Sequence, residues 1–501
     1  MVFVLQKRVM LRKLRIFFAS LFFVGVSLLF LDVAGAVHRY LGWMAKVQFL
    51  PAMLALNGVA LLVVLLLTLL VGRLYCSVIC PLGVMQDLFS HMGGWFMKKR
   101  FHYARPHKVL RYVVLALFAV ALVAGLGSLA TLIAPYSAFG RIASTLMRPL
   151  YILCNNGLAA ISAHFGSYLF YPVEVVWHGG AVAAVAVVTL LVVAMLALRY
   201  GRLWCNTVCP VGTLLGLVSR FSFLKVAIDA DKCRNCGRCE KRCKSMCIDL
   251  QSHSVDASRC VACMDCLDEC RFDALSLRHA RPKAAGADST ADGAPANSSR
   301  RKFLAVSAAM ATGAAFSASA KLTDGGLAVI EDKRYPQRRV PLKPFGAQSM
   351  KHFSKHCTAC LLCVSECPNH LLRPSQKLES LMQPEMHYEQ GYCPTACTRC
   401  SQVCPTGAIR PLDTLSKTSV SIGYAVTVLE NCLSFSQGVG CGSCERHCPA
   451  GAVRMVADGK GRLFPSVNEN RCLGCGACEY YCPARPFAAI FVEGREVHTS
   501  V

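Results

Sequence analysis

The sequence predicts a multidomain chain, in which a four-helix transmembrane unit precedes small α+β domains organised around cysteine groups. Three observations predict it. The 501 residues are 54% hydrophobic and only 17% charged, and the apolar ones concentrate in the first 200 positions. Four apolar stretches there are long enough to cross a bilayer core of ~30 Å. Beyond them, 24 of the 30 cysteines fall into six quartets, with two or three residues between neighbours in every gap but one. This composition excludes a purely soluble enzyme and a wholly disordered chain.

The membrane unit is assigned to residues 1–222, with spans at Leu14–Val37, Leu50–Gly72, Tyr112–Ala134 and Gly180–Leu198. Basic residues alternate between the connections. The N-terminal tail holds Lys7, Arg8, Arg12, Lys13 and Arg15, and the first loop only Arg39 and Lys46. The second loop with its flanks holds Arg73, Lys98, Lys99, Arg100, Arg105, Lys108 and Arg111, and the third only Arg141 and Arg148. By the positive-inside rule both ends of the unit face the cytoplasm. A soluble helical bundle would not need this alternation. Within the third loop an apolar piece, Leu150–Phe170, suits the membrane surface.

The unit contains a repeat. Gly72-Arg73-Leu74-Tyr75-Cys76-Ser77-Val78-Ile79-Cys80-Pro81-Leu82-Gly83 recurs as Gly201-Arg202-Leu203-Trp204-Cys205-Asn206-Thr207-Val208-Cys209-Pro210-Val211-Gly212. Each copy follows an even-numbered span and carries C-x3-C-P, so the unit reads as two related helix pairs. Repeats of this kind place function at their interface. Cysteines at i and i+4 share a helix face, and proline permits a break after them. Cys76, Cys80, Cys205 and Cys209 therefore hold a metal or a further cluster, shuttle as dithiol and disulfide, or only pack.

Residues 223–282 form a cytoplasmic domain with two quartets, 283–298 a flexible linker rich in Ala, Gly, Ser and Asp, and 321–501 a domain with four quartets. Between them, 299–320 has the layout of a twin-arginine export signal: Arg300-Arg301 in Ser299-Arg300-Arg301-Lys302-Phe303-Leu304, a mildly apolar run, and Ala318-Ser319-Ala320 as cleavage box. The position is internal, where such signals normally begin a chain. The bland alternative is a basic patch before an amphipathic helix.

The quartets are too compact for internal disulfides and suit four thiolates converging on one [4Fe–4S] cluster. The ferredoxin spacing C-x2-C-x2-C-x3-C sends each fourth cysteine to the neighbouring cluster. Crossing in 223–282 puts one cluster on Cys233, Cys236, Cys239 and Cys270, and another on Cys260, Cys263, Cys266 and Cys243, with Cys247 as an alternative to Cys243. The later runs are Cys357, Cys360, Cys363, Cys367; Cys393, Cys397, Cys400, Cys404; Cys432, Cys441, Cys444, Cys448; and Cys472, Cys475, Cys478, Cys482. Zinc sites more often pair two separated C-x2-C knuckles. The fold class is thus a transmembrane unit followed by α+β ferredoxin-like [4Fe–4S] domains carrying six clusters. No haem, flavin or NAD motif is seen, no histidine lies in a span, and no nucleophile–base set marks a catalytic residue. The formal charge of +25 is partly anchoring charge at the span ends and is not a nucleic-acid footprint.

With four spans, two C-x3-C-P motifs and a trailing two-cluster domain, residues 1–282 resemble the NapH family of membrane ferredoxins. Residues 299–501 resemble the NapG/MauM family of exported four-cluster ferredoxins, including the long gap of Cys432-x8-Cys441. The C-x3-C gap at Cys393–Cys397 and the extra Cys247 depart from the pattern. The resemblance implies electron transfer from quinol, or a quinol-oxidising membrane protein, to an extracytoplasmic reductase or cytochrome. It implies a multi-pass protein of the bacterial cytoplasmic membrane with residues 321–501 on its outer side, an electron-transfer subunit rather than a stand-alone enzyme. It also implies that the first exported run pairs with the fourth and the second with the third. The rival expectation is a redox-sensing or metallocofactor-assembly membrane ferredoxin with every cluster facing the cytoplasm.

Overall fold

The structure is a computed structural model that describes residues 2–96, 101–167, 170–177, 179–279, 323–324, 328–329 and 332–501. The linker and the twin-arginine-like segment, with Arg300 and Arg301, lie outside the described residues.

Among the described residues, two helices are long and apolar enough to cross a bilayer, Met10–Leu31 and Gly180–Tyr200. The other two expected spans are not continuous helices. The second divides into Phe49–Leu54 and Gly58–Val71, because Leu56 turns left-handed (φ 53°) and Asn57 caps the second piece by accepting from the Ala60 N–H at 3.2 Å. The third divides into Lys108–Val123 and Gly127–Ile133 at Gly125 (φ 80°). Hydropathy sums apolar content and does not register these local caps and turns. Leu62, Leu66 and Leu70, Val113 and Leu117, and Leu191 and Met195 point outward from the unit. Such an apolar surface suits lipid, not water.

The amphipathic helix Pro81–Phe96 lies along Gly180–Tyr200, approaching closely at Gly93, where a Cβ would stand 2.7 Å from the Leu198 carbonyl. The third loop folds back into the unit. Its helix Pro135–Ile142 is buried at every residue and packs on both of those helices before a π-turn, Ala143–Met147, leads into Arg148–His164.

The cysteine domains sit at opposite ends of this unit. In the first, strand Leu224–Ile228 pairs antiparallel with Leu275–His279 beside the short helices Arg238–Arg242 and Asp265–Glu269. In the second, Val420–Thr427 pairs antiparallel with Ile490–Ser500, Val453–Ala457 with Leu463–Val467, and Leu372–Pro374 with Pro384–Met386. Near the start of the first long helix, Arg12 donates to Asp265 (3.2 Å) and Asp268 (2.7 Å) of the first domain. Beyond its other end, Arg399 of the second donates to the Ala34 carbonyl at 3.2 Å. At 1.5 Å per residue, Arg12 and Leu31 stand roughly 30 Å apart.

Candidate functional site

Each cysteine run is a loop feeding a short helix. In four of the six, the second residue after the first cysteine and the residue after the second cysteine are left-handed: Asn235 and Gly237, Ala262 and Met264, Ala359 and Leu361, Gly474 and Gly476. For Ala, Met and Leu this costs roughly 1–2 kcal/mol per residue, and it persists because the loop must wrap a compact body. The following helix, such as Leu362–Ser365 or Ala477–Tyr481, carries the third cysteine and ends before the fourth, directing that thiol away from its own run.

The fourth thiols do cross over. Cys239 lies within electrostatic reach of Cys270, Cys233 and Cys236, and Cys266 within reach of Cys263, Cys243 and Cys260. Cys247 is buried behind them, its sulfur 3.6 Å from that of Cys243, while Cys243 is the one that faces Cys266. In the second domain the exchange is between adjacent runs. Cys363 faces Cys360, Cys357 and Cys404, and one cavity is lined by Cys367, Cys393, Cys397 and Cys400. Another cavity is lined by Cys432, Cys441, Cys444 and Cys482, and Cys478 faces Cys475, Cys472 and Cys448. This corrects the implied pairing of first with fourth and second with third. The structure pairs first with second and third with fourth, because each helix between third and fourth cysteines is only one turn long and reaches its nearest neighbour.

The donor sets fit four-iron clusters. Four thiols surround each position, and backbone N–H groups of Leu371, Ile409, Ala452 and Ala489 donate to the sulfurs of Cys367, Cys404, Cys448 and Cys482 at 3.3–3.4 Å. Such bonds stabilise an anionic sulfur cluster and tune its potential. Among the described residues no three Cys, His, Asp or Glu side chains stand close enough for a single metal ion.

Several supporting residues carried no sequence signal. Lys417 is buried, and its ammonium donates to Cys393 Sγ (3.2 Å) and to the carbonyls of Pro394 (2.6 Å) and Cys397 (2.5 Å), closing the C-x3-C gap with a cation. At the other end, Asp87 meets Arg202 (2.7 Å), Arg15 (3.0 Å) and Lys244 (3.1 Å), and Lys244 meets Asp265 at 2.9 Å. Burial opposes ionisation of Asp87, yet these cations outweigh it and hold its carboxyl far below the usual range. The network fastens the first cysteine domain to the helical unit. Only Arg202 could have been found from sequence, as the counterpart of Arg73 in the repeat. The C-x3-C-P cysteines Cys76, Cys80, Cys205 and Cys209 are all buried and brought together, whereas Cys154 is exposed.

Comparison with known proteins agrees with this chemistry. The family described as "4Fe-4S binding domain" matches residues 54–102 and 181–227, and that described as "4Fe-4S dicluster domain" matches 356–408 and 439–485. The methylamine utilization ferredoxin-type protein MauN of Methylorubrum extorquens is 30% identical over 194 residues, 38% of this chain and 54% of that protein. The ferredoxin-type protein NapH of Escherichia coli is 28% identical over 236 residues, 46% of this chain and 69% of its own length. The chain is thus similar to NapH and MauN ferredoxin-type proteins. MauN of Paracoccus denitrificans is 31% identical over 185 residues. The chain spans about half the length of both MauN relatives, 54% and 52%. No solved structure matches it. The chain therefore matches 4Fe-4S family models in four segments, two in the helical unit and two in the second cysteine domain.

Proposed function

We propose that the chain is a multi-pass protein of the bacterial cytoplasmic membrane that relays single electrons between the quinol pool and a reductase or cytochrome on the outer side. The observation that carries this reading is the attachment of two cysteine domains to opposite ends of one apolar helical unit, roughly 30 Å apart at 1.5 Å per helical residue. The basic tail and second loop put the two-quartet domain on the cytoplasmic side. The four-quartet domain then lies outside, as the twin-arginine-like hexamer and the resemblance to NapG/MauM proteins also suggest.

Four-iron clusters supply reversible one-electron chemistry when bound. This chain's residues hold them with twenty-four thiols, donate N–H bonds to several of the sulfurs and bury ten of those cysteines. Lys417 places a fixed positive charge against one site. No side chain performs bond chemistry on a substrate.

The test is protease treatment of spheroplasts from cells expressing the chain with a tag after Val501. Loss of the tag without cell lysis is the expected result. A tag digested only after lysis would place every cluster in the cytoplasm, as the redox-sensing reading requires. Quinol added to membranes should also reduce the outer clusters.

A further inference from the structure

The two C-x3-C-P copies form a second kind of site. Each family match described as 4Fe-4S binding contains only two cysteines, Cys76 and Cys80 in one and Cys205 and Cys209 in the other. Neither segment alone can supply four thiolates. The tertiary structure makes one tetrad from the two.

Both copies are built alike. A Cβ on Gly83 would stand 2.2 Å from the Cys76 carbonyl, and one on Gly212 would stand 2.2 Å from the Cys205 carbonyl, so each helix start closes on its own first cysteine. The arginines then exchange: Arg73 donates to the Cys205 carbonyl at 3.3 Å, and Arg202 to the Cys76 carbonyl at 2.5 Å. This clasp holds the pairs of thiols face to face. All four are no more than 4% exposed, and Cys209 lies within electrostatic reach of the other three.

Charge points the same way. Arg73, Arg202 and Gln86 are completely buried. Arg202 is paired with Asp87, but Arg73 meets only Asn206 Oδ1 and the carbonyls of Ser258 and Cys205, with no carboxylate at ion-pair distance among the described residues. Arg73 Nε, Arg202 Nη2 and Gln86 Oε1 have no hydrogen-bond partner among the described residues, while Gln86 Nε2 donates to Cys205 Sγ at 3.3 Å. A buried guanidinium without a counter-charge costs several kcal/mol. A first-domain cluster on Cys260 offsets part of that cost for Arg73, but four neutral thiols in the tetrad do not. A thiolate-bound [4Fe–4S] cluster, with a charge of about −2 when oxidised, does.

The tetrad also lies between the two cysteine domains. Arg73 reaches both Cys205 of the tetrad and Cys260 of the first domain. On the other side Tyr75 adjoins Cys80, Cys76 and Cys209, and Tyr136 of the folded-back helix reaches Tyr75 as well as Cys360 and Cys404. Gly140 of the same helix packs directly on the Cys360 carbonyl.

We propose that Cys76, Cys80, Cys205 and Cys209 jointly hold a seventh [4Fe–4S] cluster, which carries electrons through the middle of the helical unit. The metal site stands on the residues described above, while its role as a bridge rests on the two-sided reading of the protein. The step moves one electron and no proton: the inner site gives it up, the interface site takes it and passes it to the outer site, and no bond is made or broken. Tunnelling falls exponentially with distance, so a midway carrier replaces one long transfer by two short ones.

The experiment uses the full chain, purified anaerobically in detergent. Native mass spectrometry with iron and sulfide determination on the unaltered protein should give seven clusters, about 28 iron atoms instead of the about 24 of six clusters. Cys76→Ser and Cys205→Ser should each lose one cluster's iron or convert it to a [3Fe–4S] form visible by EPR, leaving the other six signals. Six clusters in the unaltered chain, or labelling of Cys76 and Cys205 by a thiol reagent while it is fully iron-loaded, would overturn the site. If the variants lose the seventh cluster and the inner sites still reduce the outer ones at the unaltered rate, the bridging role is overturned. Seven clusters in a chain whose C-terminal tag is accessible only after lysis would keep the site and sink the bridge together with the two-sided reading.

Discussion

Removing Arg338 should unlatch the last cysteine run. Its guanidinium donates to both oxygens of Glu479 (2.6 and 2.7 Å) and through Nε to the Val492 carbonyl at 2.6 Å, while the Val492 N–H donates to Glu479 at 2.9 Å. The side chains are 1% and 2% exposed. Glu479 follows Cys478 in the helix Ala477–Tyr481, so this pair ties the helix of the fourth run to the strand Ile490–Ser500. Burial alone pushes the Glu479 carboxyl upward, and Arg338 opposes that shift without cancelling it. Arg338→Met would leave the carboxylate buried without its counter-charge, at a cost of about 3–5 kcal/mol. Replacing both residues, Arg338→Met with Glu479→Leu, removes the charges and leaves the Val492 carbonyl unpaired, as the single variant does, and adds only the unpaired Val492 N–H, about 1–3 kcal/mol in place of the stranded charge. Anaerobic urea titration of the iron-loaded chain, followed by cluster absorbance, should therefore place the double variant between the single variant and the unaltered protein. A single substitution costing under about 1 kcal/mol, or a double variant no better than the single, would refute the reasoning.

Three further outcomes are expected. Cys357→Ala combined with Cys404→Ala should lose no more iron than Cys357→Ala alone, about four atoms and not about eight, because both thiols serve one cluster; iron analysis distinguishes this from the first-with-fourth pairing. Gly140→Val places a Cβ 2.3 Å from the Cys360 carbonyl and 3.0 Å from Phe30, so the second cysteine domain must shift outward. An overpacking cost of about 1–3 kcal/mol should weaken docking and slow reduction of the outer clusters by the inner ones in single-turnover mixing. His387 and His498 are held neutral by burial, with pKa values lowered to about 4 from the ordinary 6.5. Their folded pKa is depressed, so the unfolded chain binds the extra proton between about pH 6.5 and about pH 4. Their contribution is full above that window and is lost as pH falls through it, by no more than about 3 kcal/mol per group. Thermal unfolding against pH should show a shallower acid loss in a His387→Gln, His498→Gln variant.

The sequence by itself determined the chemistry of this protein. Thiol spacing is a one-dimensional property, since three of the four ligands of each quartet cluster come from one short run; the six runs and the repeated C-x3-C-P were legible for that reason. Apolar content likewise marked the helical unit, although not the breaks at Leu56 and Gly125, where a cap and a glycine override hydropathy. Partnership was decided only by the tertiary structure. Which run receives Cys404 depends on which loop lies nearest after one helical turn, and spacing within a run is silent on that. The same holds for Lys417, for the Asp87 network and for Arg338 with Glu479, whose partners are distant in the chain and whose residue types are ordinary. The tetrad shows the division most plainly. Each repeat discloses two thiols, and only the crossing of Arg73 and Arg202 makes them four.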